Sequence, residues 1–306
     1  MDLEQKYQTG LHALKEYASA AGFTDVVIGL SGGIDSSLTA VMCVEAFGAD
    51  HVHGFMLPGP YSTDHSLKDA RDLADNLGIE TQVISILEPY EGFERALHKV
   101  MGGDLEGLAC ENTQARCRMV CLMALSNRFN WMLVNTGNKS EAMMGFSTLY
   151  GDTAGAYAPL GGFYKTDIFA LSRWCNERAE EQGVIPPIPH HVLIKPPSAE
   201  LSPGAEDEKS LGVDYATLDK ILIAHYDQGK TAEEAAQAVV SIATETGYIV
   251  KGSATVEDNK INISISGDTS YAKDLYGKVE KKVEKYMKDN GINATLEKID
   301  ALKLEQ

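Results

Sequence analysis

Residues 26–37 read VVIGLSGGIDSS, an apolar run followed at once by a turn rich in glycine and serine. This pattern is typical of a buried strand that ends in a turn, and the sequence near 36–47 favours a helix. The same order of apolar run, turn and helical stretch recurs at 51–77 and at 80–100. Strands that alternate with helices predict right-handed crossovers and a parallel sheet covered on both faces. We therefore expect an α/β fold with a doubly wound parallel sheet.

The rest of the sequence extends this arrangement and changes character twice. The stretches 137–164 and 183–210 have little periodicity, and loops of such length in compact domains are usually functional. After residue 249, alternating apolar and polar residues predict a hairpin, then a lysine-rich amphipathic helix and a last strand. We expect a main domain at 1–248 with helical additions, and a small C-terminal α/β module at 249–306 that is structural or forms oligomers. The expected strands are 26–30, 51–58, 80–86 and 131–136, and the expected helices lie near 1–20, 36–47, 64–77, 88–100, 107–129, 165–182, 214–226 and 231–246.

Composition narrows the class of protein. Lys and Arg total 27 against 44 Asp and Glu, a formal charge of −17, which disfavours nucleic acid and anionic membrane surfaces as partners. No apolar span is long enough to cross a membrane, and residues 1–20 predict an amphipathic helix rather than a signal peptide. The five cysteines include no CxxC pair, so they indicate neither a disulfide framework nor a zinc site. We expect a cytoplasmic protein.

The turn at 31–37 has the residues of an anion cradle. Gly32 and Gly33 allow backbone N–H groups to approach a ligand, and the following helix adds a partial positive charge. The hydroxyl donors are Ser31, Ser36 and Ser37. A carboxylate in such a cradle, Asp35, repels phosphate unless a cation bridges the two, which indicates Mg²⁺. The alternative is a capped helix after a glycine turn with no ligand.

SGGIDS in this setting resembles the pyrophosphate loop of the N-type ATP pyrophosphatases, which share an adenine nucleotide alpha hydrolase-like fold. Four further stretches resemble the NAD synthetase family: NTQARCRM at 112–119, NTGNKSEAMMGFSTLYGDTAGAYAPL at 135–160, YKTD at 164–167 and KPPSAEL at 195–201. The resemblance covers roughly residues 5–246, and these stretches are more similar to the synthetase domain of the glutamine-dependent enzymes than to the short ammonia-dependent ones. The family's basic tail motif is altered here to ETGYIVKG, in which Tyr248 and Lys251 remain.

The resemblance implies which residues meet ATP and the metal. It assigns catalytic roles to Asp35 and Lys165, with Lys165 on the ATP phosphates, and Mg²⁺ to Asp35 and Glu141. A lysine at a helix start is electrostatically unfavourable, which itself indicates a function. Thr136 and Ser198 match ATP-contacting positions, whereas as bare residues they are a helix cap and a polar loop residue. The full ATP set is Gly29, Leu30, Ser31, Gly32, Gly33, Ile34, Asp35, Ser36, Ser37, Thr136, Lys165 and Ser198.

A second set is implied for the dinucleotide deamido-NAD. Asn112 and Arg116 lie four residues apart on one helix face, and a guanidinium matches a phosphate or carboxylate. Arg118 lies elsewhere on that helix, and we assign it no part in the site. His190 and His191 are interpreted as residues of a proline-rich loop rather than metal ligands. The full deamido-NAD set is Asn112, Arg116, Glu141, Phe146, Ser147, Thr148 and Leu149.

The family reaction converts deamido-NAD to NAD: ATP adenylates the nicotinate carboxylate, and ammonia displaces AMP after pyrophosphate has left. Only thirty residues precede the turn, so we expect no glutaminase domain, and either free ammonia or ammonia from a separate glutaminase subunit. The resemblance also implies a homodimer. Two alternatives stay open: another adenylating amide ligase of the superfamily acting on a different carboxylic acid, and a non-catalytic nucleotide-binding regulator. A tRNA-modifying member is disfavoured by the acidic charge.

Overall fold

The computed structural model describes residues 2–231, 234, 249–257 and 260–267. These residues contain the following helices and strands, in chain order: α1 (Leu3–Ala21), β1 (Val26–Gly29), α2 (Ile34–Phe47), β2 (Val52–Met56), α3 (Asp64–Leu77), β3 (Thr81–Val83), α4 (Leu87–Met101), α5 (Gly107–Phe129), β4 (Met132–Leu133), α6 (Lys139–Met144), α7 (Lys165–Glu181), α8 (His190–Ile194), α9 (Asp207–Leu211), α10 (Tyr215–Leu222), β5 (Ile249–Glu257) and β6 (Lys260–Gly267). The chain divides into two compact units, Met1–Asp207 and Glu208–Gln306.

Strands β1 to β4 form a parallel sheet in the described part of the first unit, in the order β3-β2-β1-β4. The chain therefore runs outward from β1 through β2 to β3 and then returns to place β4 on the other side of β1. Ligands on open parallel sheets bind beyond the carboxyl ends of the strands, at the point where the strand order reverses. In this unit that point lies between β1 and β4.

Helices cover both faces of the sheet, as the continuous apolar run of β1 predicted. Val26 and Ile28 are fully buried in a core cluster with α1, α2, α3 and α7. Val27, between them, is buried in a second cluster with α4 and α5 on the opposite face. Successive side chains of a strand point to opposite faces, and a strand buried on both therefore reads as one unbroken apolar run. The prediction of a doubly wound parallel sheet is confirmed.

Local capping explains where several helices begin and end. The Asp2 side chain accepts a hydrogen bond from the Gln5 backbone N–H at 2.8 Å, and Gly22 ends α1 in the left-handed conformation. Thr63 caps α3 in the same way, accepting from Ser66 N–H at 3.2 Å. Side-chain oxygens satisfy helix N–H groups that have no intrahelical acceptor. The predicted bounds of 64–77 for α3 and 107–129 for α5 agree with the structure.

The structure corrects the two stretches that were predicted to be irregular throughout. Helix α6 lies within 137–164, and α8 and the start of α9 lie within 183–210. His190 and His191 are consequently the first residues of α8 and not loop residues. Helices α6 and α8 have six and five residues, which is too short to show a helical period in the sequence.

The second unit is described in part. Helix α10 is followed by a turn of π-helix at Ile223–Asp227, and β5 and β6 pair antiparallel as the predicted hairpin. Apart from residues 231 and 234, the predicted helix near 231–246 lies outside the described residues, as do the lysine-rich helix, the last strand and Tyr248. The domain boundary at residue 248 stays a prediction. In the part of the chain that the structure describes, no helix combines the length and apolar character needed to cross a bilayer.

Candidate functional site

A cavity of about 520 Å³ opens at the reversal point of the strand order. Its walls come from the turn after β1, the segment after β4, one side of α5 and the segment 195–201. This volume falls in the range of pockets that hold small molecules. Of the residues predicted to meet ATP, all line the cavity except Gly32 and Ser37; the lining members are Gly29, Leu30, Ser31, Gly33, Ile34, Asp35, Ser36, Thr136, Lys165 and Ser198.

Serine hydroxyl groups stabilise the turn after β1 through hydrogen bonds within the turn. The Gly33 backbone N–H donates to Ser31 Oγ at 3.1 Å, and the two hydroxyls of Ser31 and Ser36 lie 3.0 Å apart. Ser36 and Ser37 both donate to the Gly33 carbonyl oxygen, at 3.0 and 2.8 Å. Ser37 is fully buried, so its hydroxyl stabilises the start of α2 and does not line the cavity. Ser31 is exposed and lines it.

Gly32 permits the turn to touch the start of α3. Its φ is +75°, in the left-handed region, and a Cβ built there would lie 2.2 Å from the carbonyl oxygen of Ser66. Any side chain at this position would clash with backbone, which cannot swing aside as a flexible side chain does. Gly32 therefore does not line the cavity itself, but it lets the turn pack against the start of α3.

Three charged side chains meet where the turn after β1 faces α6 and α7. Lys165 Nζ lies 2.5 Å from Asp35 Oδ2 and 3.0 Å from Glu141 Oε1. The Lys165 side chain is 1% exposed, against 19% for Asp35 and 20% for Glu141. A buried ammonium between two carboxylates satisfies the rule that buried charges are paired. The three residues predicted to be catalytic or to bind metal are thus in direct contact.

The electrostatics of this cluster suit an added cation. Burial raises the pKa of Glu141 to about 7; the charge of Lys165 opposes this rise, and that of Asp35 adds to it. When Glu141 is ionised, one ammonium faces two carboxylates, and an excess of negative charge remains. No group of three or more acidic, His or Cys side chains among the described residues could enclose a metal by itself. Mg²⁺ commonly takes one or two carboxylates and completes its shell with phosphate oxygens and water, and two oxygen donors beside an anion cradle fit that pattern.

Two asparagines that the sequence reasoning did not select organise the segment after β4. Asn138 caps α6 in a reciprocal pair with Glu141, and its Nδ2 donates to Asp35 Oδ1 at 2.8 Å. Asn135 donates to the carbonyl oxygens of Asp152 and Ala154 at 2.6 and 2.9 Å. The spacing of Asn138 and Glu141 resembles a capping box, which was the available signal for Asn138. The sequence around Asn135 contains no comparable signal, because the partners of Asn135 lie in a distant loop.

Segment 195–201 is hydrogen-bonded to α3 and its N-cap near both of its ends. Lys195 Nζ donates to Asp69 Oδ2 at 2.7 Å. Glu200, with φ +49°, accepts from the backbone N–H and hydroxyl of Thr63 and from the hydroxyl of Ser66. Left-handed backbone is costly for a side chain other than glycine, and the three hydrogen bonds at the start of α3 offset that cost. Ser198, held between these ties, donates to Ala205 O at 2.5 Å.

The residues predicted to hold the dinucleotide form a group that extends from the cavity to the surface. Phe146 and Ser147 line the cavity with Glu141. The remaining four members are linked in pairs: Thr148 Oγ1 donates to Asn112 Oδ1 at 2.6 Å, and Arg116 Nε donates to Leu149 O at 3.2 Å. These pairs lie outside the cavity lining, and Leu149 is 68% exposed. The structure thus joins the α5 residues to the 146–149 loop.

Arg118 contradicts the sequence interpretation that excluded it. It lines the cavity, and its Nε donates to Leu57 O at 2.9 Å just beyond β2. Burial lowers the pKa of this guanidinium, while the charge of Glu200 acts in the opposite direction. Helical spacing correctly predicts that Arg118 and Arg116 lie on different faces of α5. It does not reveal which of these two faces lines the cavity.

The fold and the cavity together define an open-sheet α/β protein with a candidate ligand site where its strand order reverses. A model of the NAD synthase family matches residues 6–257. The chain belongs to this family.

Two relatives and two solved structures illustrate the similarity. The glutamine-dependent NAD(+) synthetase of Thermotoga maritima is 43% identical over 234 residues, covering 76% of this chain and 40% of the relative. That of Synechocystis is 44% identical over 253 residues, covering 82% and 43%. The NMN synthetase of Francisella tularensis has a TM-score of 0.65 at 29% identity, covering 80% of this chain and 94% of that one. The NH3-dependent NAD synthetase of Campylobacter jejuni has a TM-score of 0.52 at 32% identity, covering 60% and 79%. The chain spans about two fifths of the length of the curated relatives it matches.

Proposed function

We propose that the chain amidates the nicotinate carboxylate of deamido-NAD, using ATP and ammonia and releasing AMP, pyrophosphate and NAD. A carboxylate is a poor acyl electrophile, so one of its oxygens first attacks the α-phosphorus of ATP and displaces pyrophosphate. Ammonia then attacks the acyl carbon of the adenylate, and AMP leaves. The single observation that carries the proposal is the contact of Asp35, Glu141 and Lys165 beside the glycine turn in one cavity.

Each of these groups has a distinct task in the proposed reaction. The turn after β1 offers backbone N–H groups and the start of α2 to the phosphates. The buried ammonium of Lys165 stabilises negative charge that develops on the leaving pyrophosphate. Asp35 and Glu141 would hold Mg²⁺, which when bound neutralises phosphate charge. Asn138 keeps the Asp35 carboxylate in place through its amide N–H group.

Ammonia as the nitrogen source is the finer part of the proposal. The two sequence relatives are named glutamine-dependent, whereas one of the similar structures is named NH3-dependent. In the proposed reaction Asp35, Glu141 and Lys165 serve adenylation, and this step does not depend on where ammonia originates. We propose that the chain accepts ammonia directly, whether free in solution or released by a separate glutaminase.

The test incubates the purified chain with ATP, Mg²⁺, deamido-NAD and either ammonium or glutamine, and measures NAD and pyrophosphate together. We expect both products to accumulate with ammonium. With glutamine we expect no NAD and no more than one pyrophosphate per site, because adenylation itself needs no nitrogen donor. Asp35→Asn should abolish both, while Asp50→Asn, an exposed carboxylate outside the cavity lining, serves as the matched control. Release of ADP and phosphate in place of AMP and pyrophosphate would contradict the proposal, and glutamine-driven turnover would contradict its nitrogen source.

A second candidate function follows from the similarity to the Francisella tularensis NMN synthetase, of which the chain covers 94%. In that case the amidated acid would be a mononucleotide, the acid corresponding to NMN, and the adenylation chemistry would be unchanged. Competing the two acids in one assay separates the candidates. A higher kcat/KM with the mononucleotide would favour the second candidate.

A further inference from the structure

Most of the cationic side chains that line the cavity form ion pairs. Of its three cationic side chains among the described residues, Lys165 pairs with Asp35 and Glu141, and Lys195 pairs with Asp69. The third, Arg118, makes one hydrogen bond, from Nε to the carbonyl oxygen of Leu57. No carboxylate among the residues that the structure describes lies in ion-pair contact with it.

The carboxylate whose charge acts on Arg118 already accepts hydrogen bonds from other residues. Glu200 acts on Arg118 through its charge, yet its carboxylate accepts hydrogen bonds from Thr63 and from Ser66. Burial disfavours the charged guanidinium, which cannot lose its proton in a protein. A partly buried charge of this kind is stabilised when an oxyanion reaches its remaining N–H groups.

The neighbouring backbone is shaped to admit the guanidinium. A Cβ built on Gly59 would lie 2.8 Å from Arg118 Nη2 and 3.2 Å from Gln114 Oε1. Gly59 is not in the left-handed region, so its lack of a side chain is not required by the backbone conformation. What the missing side chain provides is room for Arg118 beside the segment that follows β2.

We infer that Arg118 is a substrate-binding residue of this cavity, where its free N–H groups receive a phosphate or carboxylate oxygen of a nucleotide substrate, and that Gly59 gives it the space to do so. The inference rests on the proposed function for the identity of the nucleotide. Both ATP and deamido-NAD carry the required oxyanion. The guanidinium geometry suits two parallel hydrogen bonds to either group, which a lysine would not reproduce.

Binding measurements on the full chain test this inference without reference to turnover. Calorimetric titration with ATP, deamido-NAD and uncharged adenosine compares the wild type with Arg118→Met and Gly59→Ala. We expect Arg118→Met to weaken one of the two nucleotides by about ten- to a hundredfold, the usual effect of losing hydrogen bonds to a charged group. Adenosine should bind as to the wild type. Which nucleotide loses affinity identifies the source of the anion.

Gly59→Ala keeps the positive charge and crowds Arg118 Nη2, together with Ile86 Cδ1 at 3.0 Å and Gln114 Oε1 at 3.2 Å. It should therefore weaken the same nucleotide while tryptophan fluorescence reports a folded chain. Arg128→Met, an exposed arginine on the same helix, and Gly92→Ala, whose Cβ meets nothing closer than 3.9 Å, are the matched controls. Wild-type affinity of Arg118→Met for both nucleotides would overturn the inference, as would an equal loss for adenosine. Failure of amide formation alone would overturn the proposed function and leave this result standing.

Discussion

Replacing Gly32 by alanine tests the claim that close backbone contact shapes the cavity. Gly32 and Gly22 have almost the same φ, +75° and +76°, but a Cβ at Gly32 would meet Ser66 O at 2.2 Å, whereas one at Gly22 would meet nothing within 4 Å. The left-handed backbone costs a side chain about 1–2 kcal/mol at either position. Only Gly32→Ala adds overpacking, worth about 1–3 kcal/mol. The difference between the two variants therefore isolates the contact with α3.

The assay is urea unfolding followed by tryptophan fluorescence. The chain has two tryptophans, Trp131 and Trp174, and both lie in the first compact unit. We expect Gly32→Ala to lose about 1–3 kcal/mol more stability than Gly22→Ala, and to lose ATP affinity as well because the turn must shift. Equal stability losses would refute the reasoning, since the contact with Ser66 would then carry no cost. Loss of ATP affinity in Gly22→Ala would refute it equally.

Three further variants test the charged groups. Lys165→Met leaves two half-buried carboxylates without their ammonium, and pyrophosphate release should fall by about a hundredfold or more, while a wild-type rate would contradict a role for the lysine. Asn138→Ala removes a helix cap and the amide that holds the carboxylate after β1; unfolding should show a loss of about 1–2 kcal/mol. Asp69→Asn tests linkage: burial alone would raise the pKa of Asp69, but hydrogen bonds from Lys195 and His191 hold it below its usual value. The ionised Asp69 carboxylate stabilises the folded state fully above its unfolded-state pKa of about 4. This stabilisation is lost as the pH falls through the lower folded-state pKa. The stability advantage of the wild type over Asp69→Asn should therefore shrink between pH 7 and pH 3, and a constant difference would contradict the linkage.

Much of the fold follows from local patterns in the sequence. The strands at 26–30 and 51–58 and the helices near 64–77 and 107–129 were predicted within a few residues of the observed elements. Short elements were missed or misjudged. Strand β4 has two residues where six were expected. Val134 N–H still donates to the carbonyl oxygen of Val27 at 3.0 Å, and the next residues, Asn135 and Thr136, line the cavity.

The site was predictable where a motif carries its own chemistry. The turn at 31–37 and the residues Asp35, Glu141 and Lys165 were selected from the sequence, and the structure brings them together. Arg118 was excluded because its orientation depends on how α5 is rotated over the sheet, which helical spacing alone leaves open. Asn135 shows the same limit, since its partners lie in a loop seventeen to nineteen residues away.

The sequence by itself determined the order of strands and helices, the parallel sheet and the glycine turn, because each depends on residues that are neighbours in the chain and on the fixed handedness of the crossovers. The tertiary structure decided which charges meet. Lys165 reaches Asp35 across 130 residues, and Thr63 donates to Glu200 across 137. Such contacts depend on how helices are rotated and seated on the sheet, so they are set by packing over the whole unit and not by any local pattern.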